Sequence, residues 1–114
     1  MDQHKNFAIS AVATAPTPAS SGTSLVVNAG DGALFPATPF NCTVWPAGLN
    51  PTSTNAEIVR VTTVSTDTFT ITRTQEGTSA RSIVVGDQII NSITVKTLTD
   101  VEAGESPLAI QMFS

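Results

Sequence analysis

Two β-rich runs separated by a short loop constrain this fold more than any other feature of the sequence. Residues 57–64 (EIVRVTTV) and 68–74 (TFTITRT) are rich in β-branched and aromatic side chains. In the second run Phe69, Ile71 and Arg73 fall on one face and the threonines fall on the other, which is the period-two pattern of a half-buried strand. Because the loop between the runs is short, they predict an antiparallel β-hairpin.

Further short strands are predicted along the rest of the chain. Segments that contain glycine or proline separate β-branched and apolar runs at residues 23–28, 40–45, 81–85 and 88–95. No convincing helix lies between them, and residues 96–103 fit either a strand or a helical turn. The pattern predicts an all-β fold, a small antiparallel β-sandwich or β-barrel of six to seven short strands.

The two ends of the chain are apolar and poor in charge. Because Pro16 and Pro18 favour an extended segment, residues 1–22 are interpreted as an N-terminal arm or linker, residues 23–98 as the β-domain and residues 99–114 as a C-terminal arm. The ends are either frayed or arms that add strands or apolar anchors to a neighbouring subunit. We favour arms, since six large apolar side chains would otherwise be exposed. These candidate interface residues are Phe7, Ile9, Leu108, Ile110, Met112 and Phe113.

The composition indicates a protein that assembles with other subunits. A chain of 114 residues has room for one small domain. Charged residues make up 12% of it, about half the usual share of roughly 25%, whereas threonine and serine contribute 18 and 11 residues. A weakly charged surface rich in hydroxyl groups is expected where much of a protein faces its neighbours.

Charge and hydropathy argue against two classes of partner. The net charge is −4 and the five cationic residues are scattered, which disfavours a nucleic-acid interface, since that needs a basic stripe. No apolar run approaches the roughly 20 residues of a membrane span. No signal peptide is visible, so we expect synthesis and folding in the cytoplasm.

Groups suited to catalysis or metal binding are sparse. The single histidine, His4, lies in the polar N-terminal segment. Asp100, Glu102 and Glu105 form a loose acidic group without the spacing of a calcium loop. We therefore expect no enzymatic activity, no cofactor, and no catalytic or metal-binding residue.

Other polar residues are expected to have structural roles. Glu57 with Arg60, and Arg73 with Glu76, are interpreted as surface ion pairs worth under about 1 kcal/mol each. The lone cysteine, Cys42, is expected to be a buried small hydrophobe. Four carboxylates in or beside predicted turns are expected to accept hydrogen bonds from local backbone N–H groups. These are Asp31, Asp67, Glu76 and Asp87.

The hairpin and the residues after it form a longer motif. Residues 57–62 (EIVRVT), 68–80 (TFTITRTQEGTSA) and 86–89 (GDQI) resemble a pattern found in virion proteins of tailed bacteriophages. In that pattern E-[IV]-V-x-V-T precedes a turn, then T-[FLV]-T-[IV]-x-R-x-Q-E-G-T-x-A, and later G-D-x-[IV]. The match is close over about residues 56–91. The residues interpreted as its structural turn motif are Arg73, Gln75, Glu76, Gly77, Thr78, Gly86 and Asp87.

The resemblance implies a structural virion component without catalytic residues. Because little chain follows the motif, we expect a capsid decoration or cementing subunit that forms a homo-oligomer, as a trimer, and binds the major capsid protein in the virion, after assembly in the bacterial host cytoplasm. A tail or tail-fibre anchoring domain is the alternative within the same class. In another class, Trp45 and the loop at 46–55 suggest a carbohydrate-binding module, although a lone tryptophan in a β-domain is more often buried in a core or an interface.

Overall fold

The chain folds into a closed antiparallel β-barrel. The structure, a computed structural model, describes Lys5 and residues 7–91. These residues form six strands in the order β1-β2-β5-β4-β3-β6 around the barrel, and β6 pairs back with β1. The all-β prediction is confirmed, and of the two predicted architectures the barrel is the correct one. The strands are β1 (Ile9–Thr14), β2 (Ser24–Val27), β3 (Phe40–Trp45), β4 (Glu57–Ser65), β5 (Thr68–Gln75) and β6 (Gln88–Ile90), with a 3-10 helix at Asp31–Leu34.

The predicted hairpin is the longest pairing in the barrel. Strands β4 and β5 pair antiparallel from Ser65 opposite Thr68 to Ile58 opposite Gln75, with two irregularities in register. Phe69 and Ile71 are buried, and Thr70 between them is exposed, as the alternation predicts. Thr66 has φ 59°, a left-handed conformation that is typical of the tight turns joining hairpin strands.

The N-terminal arm predicted over residues 1–22 contains a strand of the barrel. Ile9–Thr14 forms β1, which pairs with β2 on one side and with β6 on the other. Ser10 and Val12 are buried. Pro16 and Pro18 follow this strand and lie in the loop to β2, so they end the strand rather than exclude it.

A strand is predicted at residues 81–85, but the structure has no strand there. The buried Ile83 donates its N–H to the Ala19 carbonyl at 3.0 Å, but Val84 N–H bonds the Asp87 carboxylate at 3.1 Å. Side-chain bonds therefore replace the ladder that a strand would need. Strand β6 covers the first part of the strand predicted at 88–95; residues 92–103 lie outside the described part of the chain.

Three phenylalanine rings occupy the centre of the core. Phe69 packs edge-on against Phe35, with ring centroids 4.9 Å apart, and against Phe40 at 6.2 Å. Phe35 and Phe40 stack at 5.9 Å. Cys42 is fully buried on β3, which confirms its interpretation as a small core residue. Other core residues are Val12, Leu25, Val27, Val44, Val59, Val61, Ile71, Ile83 and Ile89.

The connection from β2 to β3 is fixed to the hairpin turn by Asp67. Its carboxylate accepts the backbone N–H groups of Gly30 at 3.1 Å and Gly32 at 2.9 Å. A Cβ atom added at Gly32 would collide with the carbonyl oxygen of Thr66. The absence of a side chain at position 32 therefore lets the 3-10 helix lie directly against the turn.

The direction of the strands gives the barrel two different ends. Loops 15–23, 46–56 and 76–87 lie at one end, called here the motif end. Connection 28–39 and the hairpin turn lie at the other. Strand β1 begins and β6 finishes at this second end, where Asn91 N–H bonds the Ala8 carbonyl at 3.0 Å. We call it the terminal end, since the first and last described strands begin and end there.

The aromatic core predicts one large mutational effect. Phe69→Ala removes the ring that contacts both other phenylalanines and should lower the free energy of unfolding by about 3–5 kcal/mol. Thr70→Ala, at the next and exposed position, should change it by less than about 0.5 kcal/mol. Urea titrations of both variants test this; similar losses in the two would contradict the assignment of Phe69 to the core.

Candidate functional site

A buried ion pair lies at the motif end of the barrel. Glu57 is the first residue of β4 and shares the inward face with Val59, while Arg73 follows Phe69 and Ile71 on the inward face of β5. The two side chains form a bidentate pair, Arg73 Nε to Glu57 Oε2 and Nη2 to Oε1, both at 2.8 Å. Their side chains are 8% and 0% exposed, so this is a desolvated pair of the kind that requires full hydrogen bonding.

All the N–H groups of Arg73 donate to protein atoms. Besides Glu57, Nη1 donates to the carbonyls of Ala19 at 3.2 Å and Gly22 at 3.0 Å, and Nη2 donates to the carbonyl of Arg81 at 2.7 Å. The five bonds match the five donors of a guanidinium. Arg73 therefore links the β1–β2 loop to the segment after β5, and no donor is left for a ligand.

Glu57 is held in its ionised form by the same neighbours. Thr74 N–H donates to Oε2 at 2.8 Å and Arg81 N–H donates to Oε1 at 2.9 Å. Burial acts to raise the pKa of Glu57, but the bonds from Arg73, Arg81 and Thr74 and the charge of Arg73 outweigh it, so the pKa lies below its ordinary value. The carboxylate is thus a poor proton acceptor and not a candidate general base.

A second ion pair continues the network. Arg81 donates from Nη2 at 2.7 Å and from Nε at 3.1 Å to Oδ2 of Asp87, and its Nη1 donates to the Asn55 carbonyl at 2.8 Å. Asp87 is buried and also accepts Val84 N–H at 3.1 Å. We call Glu57, Arg73, Arg81 and Asp87 the motif network; it joins the three loops at this end of the barrel.

The turn after β5 is closed by Thr78. Its hydroxyl donates to the Gln75 carbonyl at 2.8 Å and accepts Ile58 N–H at 3.0 Å. Glu76 and Gly77 both have positive φ, 52° and 77°, and a glycine adopts that conformation without steric cost. The QEGT segment therefore ends β5 and returns the chain to the start of β4.

A smaller polar group lies on the outer side of β3 and β4. Asn41 donates from Nδ2 to Glu76 at 2.7 Å and accepts from Arg60 Nη1 at 3.0 Å. Asn91 Nδ2 donates to the Asn41 carbonyl at 2.9 Å, while Asn91 Oδ1 is buried and has no hydrogen-bond partner among the described residues. These contacts tie the QEGT turn to the end of β6.

The structure corrects the ion pairs expected from the sequence. Residues three apart in a strand lie on opposite faces, so Glu57 points inward and Arg60 outward. Arg73 pairs with Glu57 across the hairpin, and the pair is buried rather than exposed. The sequence contains a signal for this pairing. Glu57 alternates in step with the inward valines of β4, and Arg73 alternates in step with Phe69 of β5. Both charges are therefore expected to point inward, and buried opposite charges must pair.

The residues of the predicted turn motif lie at the motif end, in several different roles. Arg73 and Asp87 belong to the motif network, and the Gly86 N–H bonds the Val12 carbonyl at 2.9 Å. Gln75, Glu76, Gly77 and Thr78 form the turn described above. Arg81, which links Arg73 to Asp87, was missed by the sequence interpretation.

Three of the four turn carboxylates bind more distant groups than expected. Asp87 accepts a local N–H, but Asp67 accepts N–H groups from the β2–β3 connection. Asp31 accepts the hydroxyl of Ser10 at 2.8 Å, and Glu76 accepts the amide of Asn41. Asp31, Asp67 and Glu76 therefore join separate elements of the barrel, whereas Asp87 also stabilises its own turn.

Trp45 does not offer a stacking surface. It is 7% exposed, and its Nε1 donates to the Leu49 carbonyl at 2.9 Å.

Burial raises the pKa of the Cys42 thiol well above its ordinary value, which keeps it protonated and unreactive. Within the described residues, no group of three or more His, Cys, Asp or Glu side chains is placed to hold a metal ion, and no helix there is long and apolar enough to cross a bilayer.

The candidate arm residues fall partly within the structure. Phe7 and Ile9 are exposed at the terminal end, where Phe7 is 85% exposed. Leu108, Ile110, Met112 and Phe113 lie outside the described residues.

No known family model matches the chain, and no curated protein matches its sequence.

The motif network predicts a strong effect of neutralising Glu57. Glu57→Gln leaves the buried Arg73 without a counter-charge and turns an amide donor toward N–H groups, so it should lower the free energy of unfolding by about 3–5 kcal/mol. Glu76→Gln, in the same motif but partly exposed, is the matched control and should cost about 1 kcal/mol. Denaturant titration gives both values; equal losses would contradict the special role of Glu57.

The lowered pKa of Glu57 predicts an acid-dependent loss of stability. A carboxyl whose pKa is lower in the folded state stabilises the fold above its unfolded pKa, about 4.3, and that contribution disappears as the pH falls through the folded value. The stability gap between the wild type and Glu57→Gln should therefore be constant from pH 7 to about 5 and shrink below that. A gap unchanged down to the lowest pH at which the wild type folds would contradict the assignment.

Proposed function

We propose that this chain is a non-enzymatic structural protein of a tailed-bacteriophage virion, and that it is a decoration subunit bound to the capsid. The observation that carries the proposal is the resemblance of residues 56–91 to the phage virion pattern, taken with the role of those residues in the fold. Arg73 and Asp87 of the motif are occupied by internal bonds. A motif whose charged side chains bond to other parts of the same fold is typical of a structural module rather than of an active site.

The surface of the barrel supports the same proposal. The outward side chains of β5 are exposed threonines, Thr70, Thr72 and Thr74, and only 12% of the chain is charged. Large apolar side chains are exposed at both ends of the barrel. A small rigid domain with a weakly charged surface suits a subunit that functions in contact with other proteins.

Decoration would act through mass action. A protein that binds only the assembled shell stabilises it by RT ln(1 + [L]/Kd) per site, which is about 2.7 kcal/mol when the free protein exceeds Kd by roughly 100-fold. Because a shell carries many equivalent sites, the contributions add over the particle. The motif network would keep the barrel rigid, so that little conformational entropy is lost on binding.

A tail or tail-fibre anchoring domain is the second candidate, and the same resemblance favours it. The number of copies per particle separates the two: decoration gives a number that scales with the capsid subunits, and tail placement gives a few copies set by tail symmetry. A carbohydrate-binding module has less support, because the buried Trp45 leaves no indole face for a sugar ring.

The proposal predicts a heat-stabilised shell. Empty shells of a phage that encodes this chain, prepared without it, should rupture at a lower temperature than shells to which the purified protein is added back, and the gain should saturate with added protein. Light scattering during heating gives the rupture temperature, and quantitative gel analysis gives the bound copies. Unchanged rupture and no bound protein would overturn decoration; a few copies on intact particles, located at the tail, would favour the second candidate.

A further inference from the structure

Three large apolar side chains are exposed together at the terminal end. Phe7 is 85% exposed, and Ile9 and Leu34 are also exposed. Lys5 Nζ donates to the Ala33 carbonyl at 3.1 Å, and Ser10 donates to Asp31 at 2.8 Å. These two bonds hold the start of β1 beside the 3-10 helix. Phe7, Ile9 and Leu34 therefore lie at the same end of the barrel, and these three residues are called here the terminal patch.

The backbone at Phe7 directs its ring away from the barrel. Phe7 has φ 62°, and its carbonyl accepts Ile9 N–H at 2.8 Å, which closes a three-residue turn. Positive φ costs a bulky L-residue roughly 1–2 kcal/mol. An aromatic ring that is exposed to water and held by a costly backbone conformation is expected to be covered by another protein surface in the assembled state.

The last described residue, Asn91, lies at the same end of the barrel as this patch. Asn91 N–H bonds the Ala8 carbonyl at 3.0 Å, and 114 − 91 = 23 residues follow Asn91. Residues 106–114 (SPLAIQMFS) contain no charged side chain, and Leu108, Ile110 and Met112 recur at every second position. The connecting residues 92–106 would span about 50 Å if they were fully extended.

We propose that the terminal patch is a docking surface for the apolar C-terminal segment, residues 107–113, of a second copy of this chain. This inference deepens the proposed function and rests on its expectation that the chain assembles with itself. Phe7 is 85% exposed, and the low share of charged residues, 12%, is expected where much of a protein faces other subunits, so the cover of Phe7 is assigned to another copy. Lys5 lies beside the patch and Glu105 precedes the apolar segment, which places opposite charges at the rim of the contact.

The closed barrel determines how the segment binds. All six strands already have two neighbours in the barrel, so the contact is made by side chains on the patch rather than by a strand added to the sheet. Leu108, Ile110 and Met112 would place one apolar face of an extended segment against Phe7, Ile9 and Leu34. Each copy both donates a segment and accepts one, which is the arrangement that closes a ring of identical subunits.

Assembly of the purified full-length chain tests the surface. The wild type should sediment as an oligomer, and Phe7→Asp should sediment as a monomer with an unchanged circular dichroism spectrum. Val85→Asp is the matched control, since Val85 is also exposed but lies at the motif end. A monomeric wild type, or equal dissociation by both variants, would overturn the inference. Shell binding by a monomeric wild type would leave the proposed function standing.

Disulfide trapping tests the occupant. Chains carrying Leu34→Cys and chains of different size carrying Ile110→Cys are mixed under oxidising conditions, so that any link between the two sizes joins two copies. A strong mixed band supports the inference, provided that Leu49→Cys, exposed at the motif end, gives only background with Ile110→Cys. No mixed band overturns it, and so does a link that forms only when both cysteines are in the same chain.

Discussion

The buried ion pair between Glu57 and Arg73 is the interaction on which the motif end of the barrel depends. Removing two charges from water is costly, and only complete hydrogen bonding offsets that cost. Here Arg73 uses all its donors, and Glu57 adds the N–H groups of Thr74 and Arg81 to its ionic contact. Because the pair takes bonds from three separate segments, a change in any one of them leaves a buried polar group unsatisfied elsewhere.

The sequence predicted the parts of the fold that depend on local alternation. Strand β3 and the β4–β5 hairpin follow from β-branched residues with a clear period of two. Strand β1 (ISAVAT) was missed because small residues give a weak alternation and prolines follow closely. The segment at 81–85 was predicted as a strand because three of its five side chains are β-branched, but side chains of Asp87 and Arg73 bond to its backbone, and periodicity does not reveal such bonds.

The candidate site, like the fold, was predicted from the sequence only where local pattern determines it. The motif residues were recognised as a group, and their turn chemistry at Gly77 follows from composition. Their partners depend on which strands become neighbours: Glu57 meets Arg73 because β4 pairs with β5, and Arg81 joins them because the irregular segment folds back over the barrel end. The exposed Phe7 was a candidate from its sequence alone, but its position at the same end of the barrel as Asn91 required the pairing of β1 with β6. The motif end of the barrel is thus held by the motif network, and the terminal end carries the exposed Phe7, Ile9 and Leu34.

Amide hydrogen exchange of the free protein tests the central claim, that the motif builds the fold rather than a binding surface. The N–H groups of Thr74 and Arg81, which Glu57 accepts, should exchange as slowly as that of Ile71 in the barrel wall, through global unfolding alone. The amide of Gly48, in an exposed loop at the same end, should exchange fast. If Thr74 and Arg81 exchange at the rate of Gly48, the network does not hold the motif end together and the account is wrong.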